Sequence, residues 1–253
     1  MEHVFRKSLV PVFLDFGEAM LTAGAEIGRV ENSLSRIGSS FGAISTEVFV
    51  ITSSIVLTLR FEEGEYTGSR RVVGGGNNFE RLRKLNALSR RCVSEHLSSE
   101  ELKAELQRIL EEKPKTLKIF AGSALAAGSF ALFFGGNGYD AVLAALFGLF
   151  ICYFQVFLAR RFPNKAFFLF SISFLSGLGI SLVAKIPFLP TLHVDRIMIG
   201  DIMLLIPGIA TTMSVRDVLV GDTISGITKF LECLLWAVSL AAGFVLALVL
   251  CGR

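Results

Sequence analysis

Residues 200–226 read GDIMLLIPGIATTMSVRDVLVGDTISG, and this stretch decides the fold. Asp201 opens an apolar run and Pro207-Gly208 interrupts it. Thr211 and Thr212 follow, then Arg216-Asp217 and Gly221-Asp222. A plain membrane anchor avoids all of these features. A charge near the centre of an apolar span costs about 2.5–3.5 kcal/mol on insertion scales, so it is retained where a function needs it. Pro207 withholds the N–H that would bond the carbonyl of Met203, and in lipid that carbonyl must find another partner. A span that is both broken and charged has the character of a transport pathway.

The surrounding composition agrees. The chain has 253 residues, 52% of them hydrophobic, and a mean hydropathy of +0.61, too apolar for an ordinary soluble domain. Charge is unevenly spread. Residues 1–115 hold 16 Lys+Arg and 16 Asp+Glu, whereas residues 116–253 hold 9 and 6. The chain therefore divides into a small charge-balanced domain, 1–115, and a membrane domain, 116–253. The net charge of +3 comes mostly from residues flanking the spans, which points to membrane orientation and away from nucleic acid. Cys92, Cys152, Cys233 and Cys251 have no metal or redox spacing, and three lie in apolar runs where cysteine acts as a small hydrophobe. Asp15 and Glu18 follow the first apolar run and exclude a signal peptide, so the N-terminal domain is expected in the cytoplasm.

Residues 4–23 predict an amphipathic helix on Leu9, Phe13, Phe16 and Met20, capped by Gly24. A second helix is expected over 25–41 on Val30, Leu34, Ile37 and Phe41. The period then shortens. Residues 46–50, 55–59 and 66–73 read as strands of a small antiparallel sheet, with a turn at 62–65. Gly74-Gly75-Gly76 fits no phosphate-binding spacing and reads as a strand exit, with Asn77 or Asn78 capping the next helix. That third helix buries Phe79, Leu82, Leu85, Leu88 and Cys92, and its basic side reads as a solvated face. Ser98 and Glu101 have the spacing of a capping box, Leu97 and Leu102 that of a hydrophobic staple, and Pro114 stops the fourth helix.

Five spans follow, at about 117–134, 139–159, 166–184, 197–213 and 227–250, each near the roughly 20 residues a bilayer requires; the fourth is short and broken. Lys113, Lys115 and Lys118 flank the first span, Arg160, Arg161 and Lys165 lie between the second and third, and Arg216 and Lys229 bracket the link between the fourth and fifth. The positive-inside rule then sets the N-terminus inside and the C-terminus outside, with Lys185 and Arg196 against the pattern. The fold class is an α-helical polytopic membrane protein, five transmembrane helices preceded by a small α+β cytoplasmic domain.

Carboxylates in the spans are the candidate chemistry. Asp201 lies about a turn into the fourth span from its outer end, with Gly208 and Thr212 following on its face at i+7 and i+11. Glu232 lies early in the fifth span, three residues after Lys229, and can pair with it. Asp140 opens the second span. A proton-coupled carrier uses carboxylates that exchange protons as they are dried and wetted. The candidate substrate and coupling residues are Asp201, Pro207, Gly208, Thr211, Thr212, Arg216, Asp217, Asp222, Glu232 and Asp140, with Arg216 expected to pair with Asp217 or Asp222. His3, His96 and His193 are scattered and no catalytic or metal spacing is present, so neither an enzyme nor a cofactor is expected.

Several segments together resemble the threonine/serine exporter family. They are Ala23-Gly24-Ala25-Glu26 with Arg29-Val30-Glu31, then Glu47-Val48-Phe49-Val50, then Leu85-Asn86-Ala87-Leu88-Ser89-Arg90-Arg91. The last is Ile206-Pro207-Gly208 through Arg216-Asp217 to Gly221-Asp222. Family members often carry asparagine where this chain has Met213, and Thr-Pro-Thr-Gly where it has Ile51-Thr52-Ser53-Ser54. The resemblance adds Glu26, Arg29 and Glu31 as candidate residues of the cytoplasmic domain. It implies outward transport of small amino acids or dicarboxylates across a bacterial inner membrane. Because the chain stops at Arg253, after the fifth span, it resembles the larger half of a split form that includes a two-subunit succinate exporter. The implied partners are the substrate, the lipid bilayer and a second, smaller membrane subunit, with a homo-oligomer as a further option. The competing reading is a membrane-anchored sensory or regulatory protein whose N-terminal domain binds a ligand. The charges of the fourth span favour transport.

Overall fold

The computed structural model describes residues 2–112, 116–162, 164–187 and 191–252. They pack as two compact units, Met1–Lys113 with Met213–Ile227, and Pro114–Thr212 with Thr228–Arg253.

In the first unit, helix α1 (Glu2–Thr22) buries Leu9, Phe13, Phe16 and Met20 completely, as its apolar spacing requires. The chain reverses at Gly24, whose φ of +91° suits a residue without Cβ. Helix α2 (Ile27–Ser40) begins later than the expected 25 because Glu26 stays extended at its N-cap. Val30, Leu34 and Ile37 turn inward, and the Phe41 ring meets the edge of Phe13 at 5.4 Å.

Strands β1 (Ser45–Ile51), β2 (Ser54–Phe61) and β3 (Gly64–Arg71) form an antiparallel meander in the order β1-β2-β3. Ile55, Leu57, Leu59 and Phe61 alternate onto the inner face, the period of 2 that the sequence displays. Strand β3 starts at Gly64, inside the expected turn.

Helix α3 (Phe79–Glu95) is capped by Asn78, whose Oδ1 accepts the Arg81 N–H at 2.9 Å. Leu82, Leu85, Leu88 and Cys92 are buried. Phe79, expected with them, is 52% exposed. Three basic side chains of α3 pair with acids of the same unit, Arg83 with Glu80, Lys84 with Glu112, and Arg91 with Glu95. Helix α4 (Ser99–Glu111) opens with the anticipated Ser98–Glu101 capping box, and Leu102 and Leu106 complete the core. Pro114, with Lys113 and Lys115, lies outside the described residues.

The second unit is a bundle of apolar helices. Helices α5 (Thr116–Phe133), α6 (Gly138–Tyr153, continued by a π-helical turn, Phe154–Leu158), α7 (Lys165–Val183) and α10 (Thr223–Leu250) are each long and apolar enough to cross a membrane. Helices α8 (Val194–Leu205) and α9 (Gly208–Leu219) make a fifth crossing if taken as one span, bent by 51°. Counted as one span, the pair runs longer than the expected 197–213, and it is broken where Pro207 stands. Ile206, the residue before proline, is extended (φ −65°, ψ 133°), which ends α8. The chain is a polytopic membrane protein with a small α+β domain.

Contacts at the helix ends give the directions of the spans: α8 runs antiparallel to α5, α10 parallel to α7, and α8 parallel to α6. Arg196, at the start of α8, donates to the Phe134 carbonyl just past the end of α5. Lys185, just past α7, donates to the Cys251 carbonyl at the end of α10, at 2.8 Å. Asn137, before α6, donates to the Thr191 carbonyl ahead of α8 at 3.3 Å. The two basic residues that ran against the charge pattern thus serve carbonyls at helix C-termini, where the helix dipole favours a cation.

Candidate functional site

Asp201 is fully buried in α8. Gly200 beside it lets α8 approach α5 so closely that a Cβ there would lie 2.5 Å from the Ala127 carbonyl oxygen. From α7, Ser176 donates its hydroxyl to Asp201 Oδ2 at 2.9 Å. Oδ1 has no hydrogen-bond partner among the described residues. Ser173 and Ser181 of α7 are buried as well, so this helix brings a polar strip into an otherwise apolar bundle. A buried carboxyl with one hydroxyl for company is costly to keep unless its proton or a ligand completes the site.

The break lies six residues further on. Pro207 is half-buried, whereas Gly208 and Thr212 are exposed. The hydroxyls of Thr211 and Thr212 turn back onto the carbonyls of Pro207 and Gly208, at 2.8 and 3.1 Å. The expected shared face of Asp201, Gly208 and Thr212 is absent, because it presumed an unbroken helix and the bend lies between them. Glu232, on α10, is exposed and within electrostatic reach of Lys165, whose ammonium lies 3.5 Å from the Trp236 ring centroid.

Asp140 has a clear local role. With Asn137 it forms a capping box at the start of α6. Its carboxylate also accepts the His193 backbone N–H at 2.9 Å and meets His193 Nδ1 at 2.8 Å. The Asn137-x-x-Asp140 spacing is visible in the sequence. The link to His193 is not.

The first unit joins residues that the sequence left far apart. Arg216 pairs with Glu26 at 2.6 Å, in place of the expected Asp217 or Asp222, and Glu26 is also 3.8 Å from Arg29. Asp217 is buried and Asp222 half-buried. Glu31 accepts the Val50 N–H at 3.2 Å. Burial pushes its carboxyl above the ordinary 4.5, the Val50 bond opposes this, and the Asp222 carboxylate adds to the rise.

The folded state therefore binds this proton more tightly than the unfolded chain does. That contribution is complete below the ordinary glutamate value and is lost as pH rises through the raised one. Glu31→Gln keeps an oxygen for Val50 and removes the loss. In detergent the variant should melt slightly above the wild type at pH 8, by a gain below about 1 kcal/mol at so open a site, and level with it at pH 4. A variant that melts lower at pH 8 would contradict this account.

The cysteines are free and buried. No group of three metal-ligating side chains occurs among the described residues.

Comparison with known proteins agrees with these features. The family model for threonine/serine exporters, ThrE, matches residues 11–251. No curated protein and no solved structure matches. A match over nearly the whole chain, joined to a bundle with a broken, carboxyl-bearing span, decides the class: this chain is a transporter rather than an enzyme, and belongs to the threonine/serine exporter family.

Proposed function

We propose that this transporter exports small amino acids such as threonine and serine, or small dicarboxylates such as succinate, in exchange for protons, with Asp201 carrying the proton. The observation that supports this best is the Asp201 carboxyl itself, buried with Ser176 as its hydrogen-bond partner and one oxygen unpaired. Such a group alternates between a neutral form when dry and an ionised form when wetted. The substrate is placed at the break, around Pro207, Gly208, Thr211 and Thr212. There the N-terminal end of α9 offers its positive dipole to a carboxylate, as half-helices do in other secondary transporters. Both substrate classes carry a carboxylate.

The protein is proposed to reside in a bacterial inner membrane, N-terminus in the cytoplasm and C-terminus outside, on the strength of Lys118, Arg161 and Lys165. The second, smaller membrane subunit rests on the resemblance to the split form.

Efflux from membrane vesicles under an imposed proton gradient tests the reading, with and without that subunit. Threonine, serine or succinate should leave against its own gradient and stop when a protonophore is added. If none of the three responds, the reading fails. Orientation is read separately, in intact cells, by labelling Arg161→Cys. Arg161 is exposed, the native cysteines are buried, and Asn164 is better left alone because its Oδ1 caps α7 at 2.7 Å. Labelling from outside in intact cells would reverse the assigned orientation.

A further inference from the structure

A proton exchanged at a buried carboxyl must enter and leave the bundle somewhere. Capping accounts for the bond from the Asn137 N–H to Asp140 Oδ2, at 2.8 Å. It does not account for the imidazole. Asp140 is fully buried, yet its two oxygens also hold His193 at both the backbone N–H and the ring. Asp140 accepts in all three bonds, so Nδ1 is the donor and the lone pair lies on Nε2. The ring is 49% exposed. An imidazole fixed in one tautomer by a buried carboxylate, with half of its side-chain surface exposed, is the arrangement that positions a proton acceptor.

The placement of the ring matters equally. His193 is the N-cap of α8, and its carbonyl accepts the Arg196 and Ile197 N–H groups at 3.0 and 3.1 Å. Asp201 follows eight residues later on the same helix, a rise of about 12 Å. The surrounding ionisable groups are engaged elsewhere. On α8, Asp195 pairs with Arg196 at 3.0 Å, and Arg196 also serves the Phe134 carbonyl. Past α7, Lys185 serves the Cys251 carbonyl. On α6, Tyr139 is exposed. Residues 134–137, which join α5 to α6, contain no ionisable side chain.

We propose that the Asp140–His193 pair is the proton port of the transporter. His193 Nε2 takes a proton from water at this end of the bundle and passes it, through water admitted when the bundle opens, to the Asp201 carboxylate. Asp140 is the positioning residue that holds the ring. This rests on the proton-coupled reading above.

The test uses the full chain in vesicles and records export rate against the pH on the side where His193 lies. For the wild type the rate should change with that pH across an assayed range of about pH 5.5–8. His193→Gln retains an amide donor toward Asp140 and cannot titrate, so its profile should be flat across that range, with a melting temperature close to that of the wild type. Asp140→Asn keeps the capping oxygen and removes the countercharge. Its profile should lose part of that pH dependence, because the ring is no longer held in one tautomer. Wild-type profiles in both variants would overturn the proposal, as would a His193→Gln profile that keeps its shape and loses only amplitude. The two readings fail separately. If Asp201→Asn still exports with normal pH dependence, the coupling reading falls. If it does not, and the His193 profile is unchanged, only the port falls.

Discussion

Asp201→Asn should leave the protein folded and inserted while abolishing pH-driven export. The substitution preserves size and shape. The amide oxygen can still receive the Ser176 hydroxyl, now held by Oδ2 at 2.9 Å, and the amide nitrogen takes the place of the oxygen that has no partner. One buried donor is left without an acceptor, a cost of about 1–3 kcal/mol that a bundle of this size can absorb. Titration is lost completely. Gradient-driven export should therefore fall by about 100-fold or more, the range seen when an essential proton-transfer group is removed. Asp201→Glu retains the titrating group and should retain part of the coupling, which separates loss of the proton from loss of the local shape. Normal export with unchanged pH dependence in Asp201→Asn would remove Asp201 from the mechanism. Glu232, the carboxylate on α10, would be examined next.

Much of this architecture was legible in the residues because its signals are local. The shift from helical spacing in α1 and α2 to alternation in β2 lies within windows of ten residues. So do the Ser98–Glu101 capping box, the Asn78 cap and the proline that ends α8. The misses share a different cause. Arg216 meets Glu26 across most of the chain, and Asp140 meets His193 across 53 residues. Such pairs are decided by packing, which no short window records. Arg196 and Lys185 looked like exceptions to a charge rule because that rule counts charges without asking what they bond. Both are engaged by helix carbonyls. The supposed common face of Asp201 and Thr212 failed for a geometric reason. Counting 100° per residue holds only while the helix continues, and the 51° bend falls between them.

Gly200→Leu should prevent α8 from seating against α5 and lower the melting temperature of the whole chain. Two effects of opposite sign meet at this position. Replacing glycine inside a helix gains about 0.5–1 kcal/mol by restricting the unfolded chain. Against this, a Cβ at Gly200 would lie 2.5 Å from the Ala127 carbonyl oxygen and 3.3 Å from both the Ala131 Cβ and its backbone nitrogen. A carbon–oxygen contact rests near 3.3–3.6 Å, so the helices would have to part by roughly 1 Å. The obstacle is backbone, which has no rotamer to change. Overpacking of this kind costs about 1–3 kcal/mol for a single added group, and more for a branched side chain. In lipid the loss is harder to recover, because close contact between small residues is itself what holds two spans together. For Gly200→Ala the clash with backbone already outweighs the gain, by up to about 2 kcal/mol, and the melting temperature should fall. For Gly200→Leu the clash wins, and Asp201, one residue along, should lose its bond from Ser176 as well. Gly122 on α5 supplies the control: nothing lies within 4 Å of a Cβ built there, so Gly122→Leu adds the same side chain to open space and should melt at or slightly above the wild type. If Gly200→Leu melts with Gly122→Leu, the close α5–α8 crossing does not exist in the membrane. The buried setting of Asp201, on which proton coupling depends, would then lose its support.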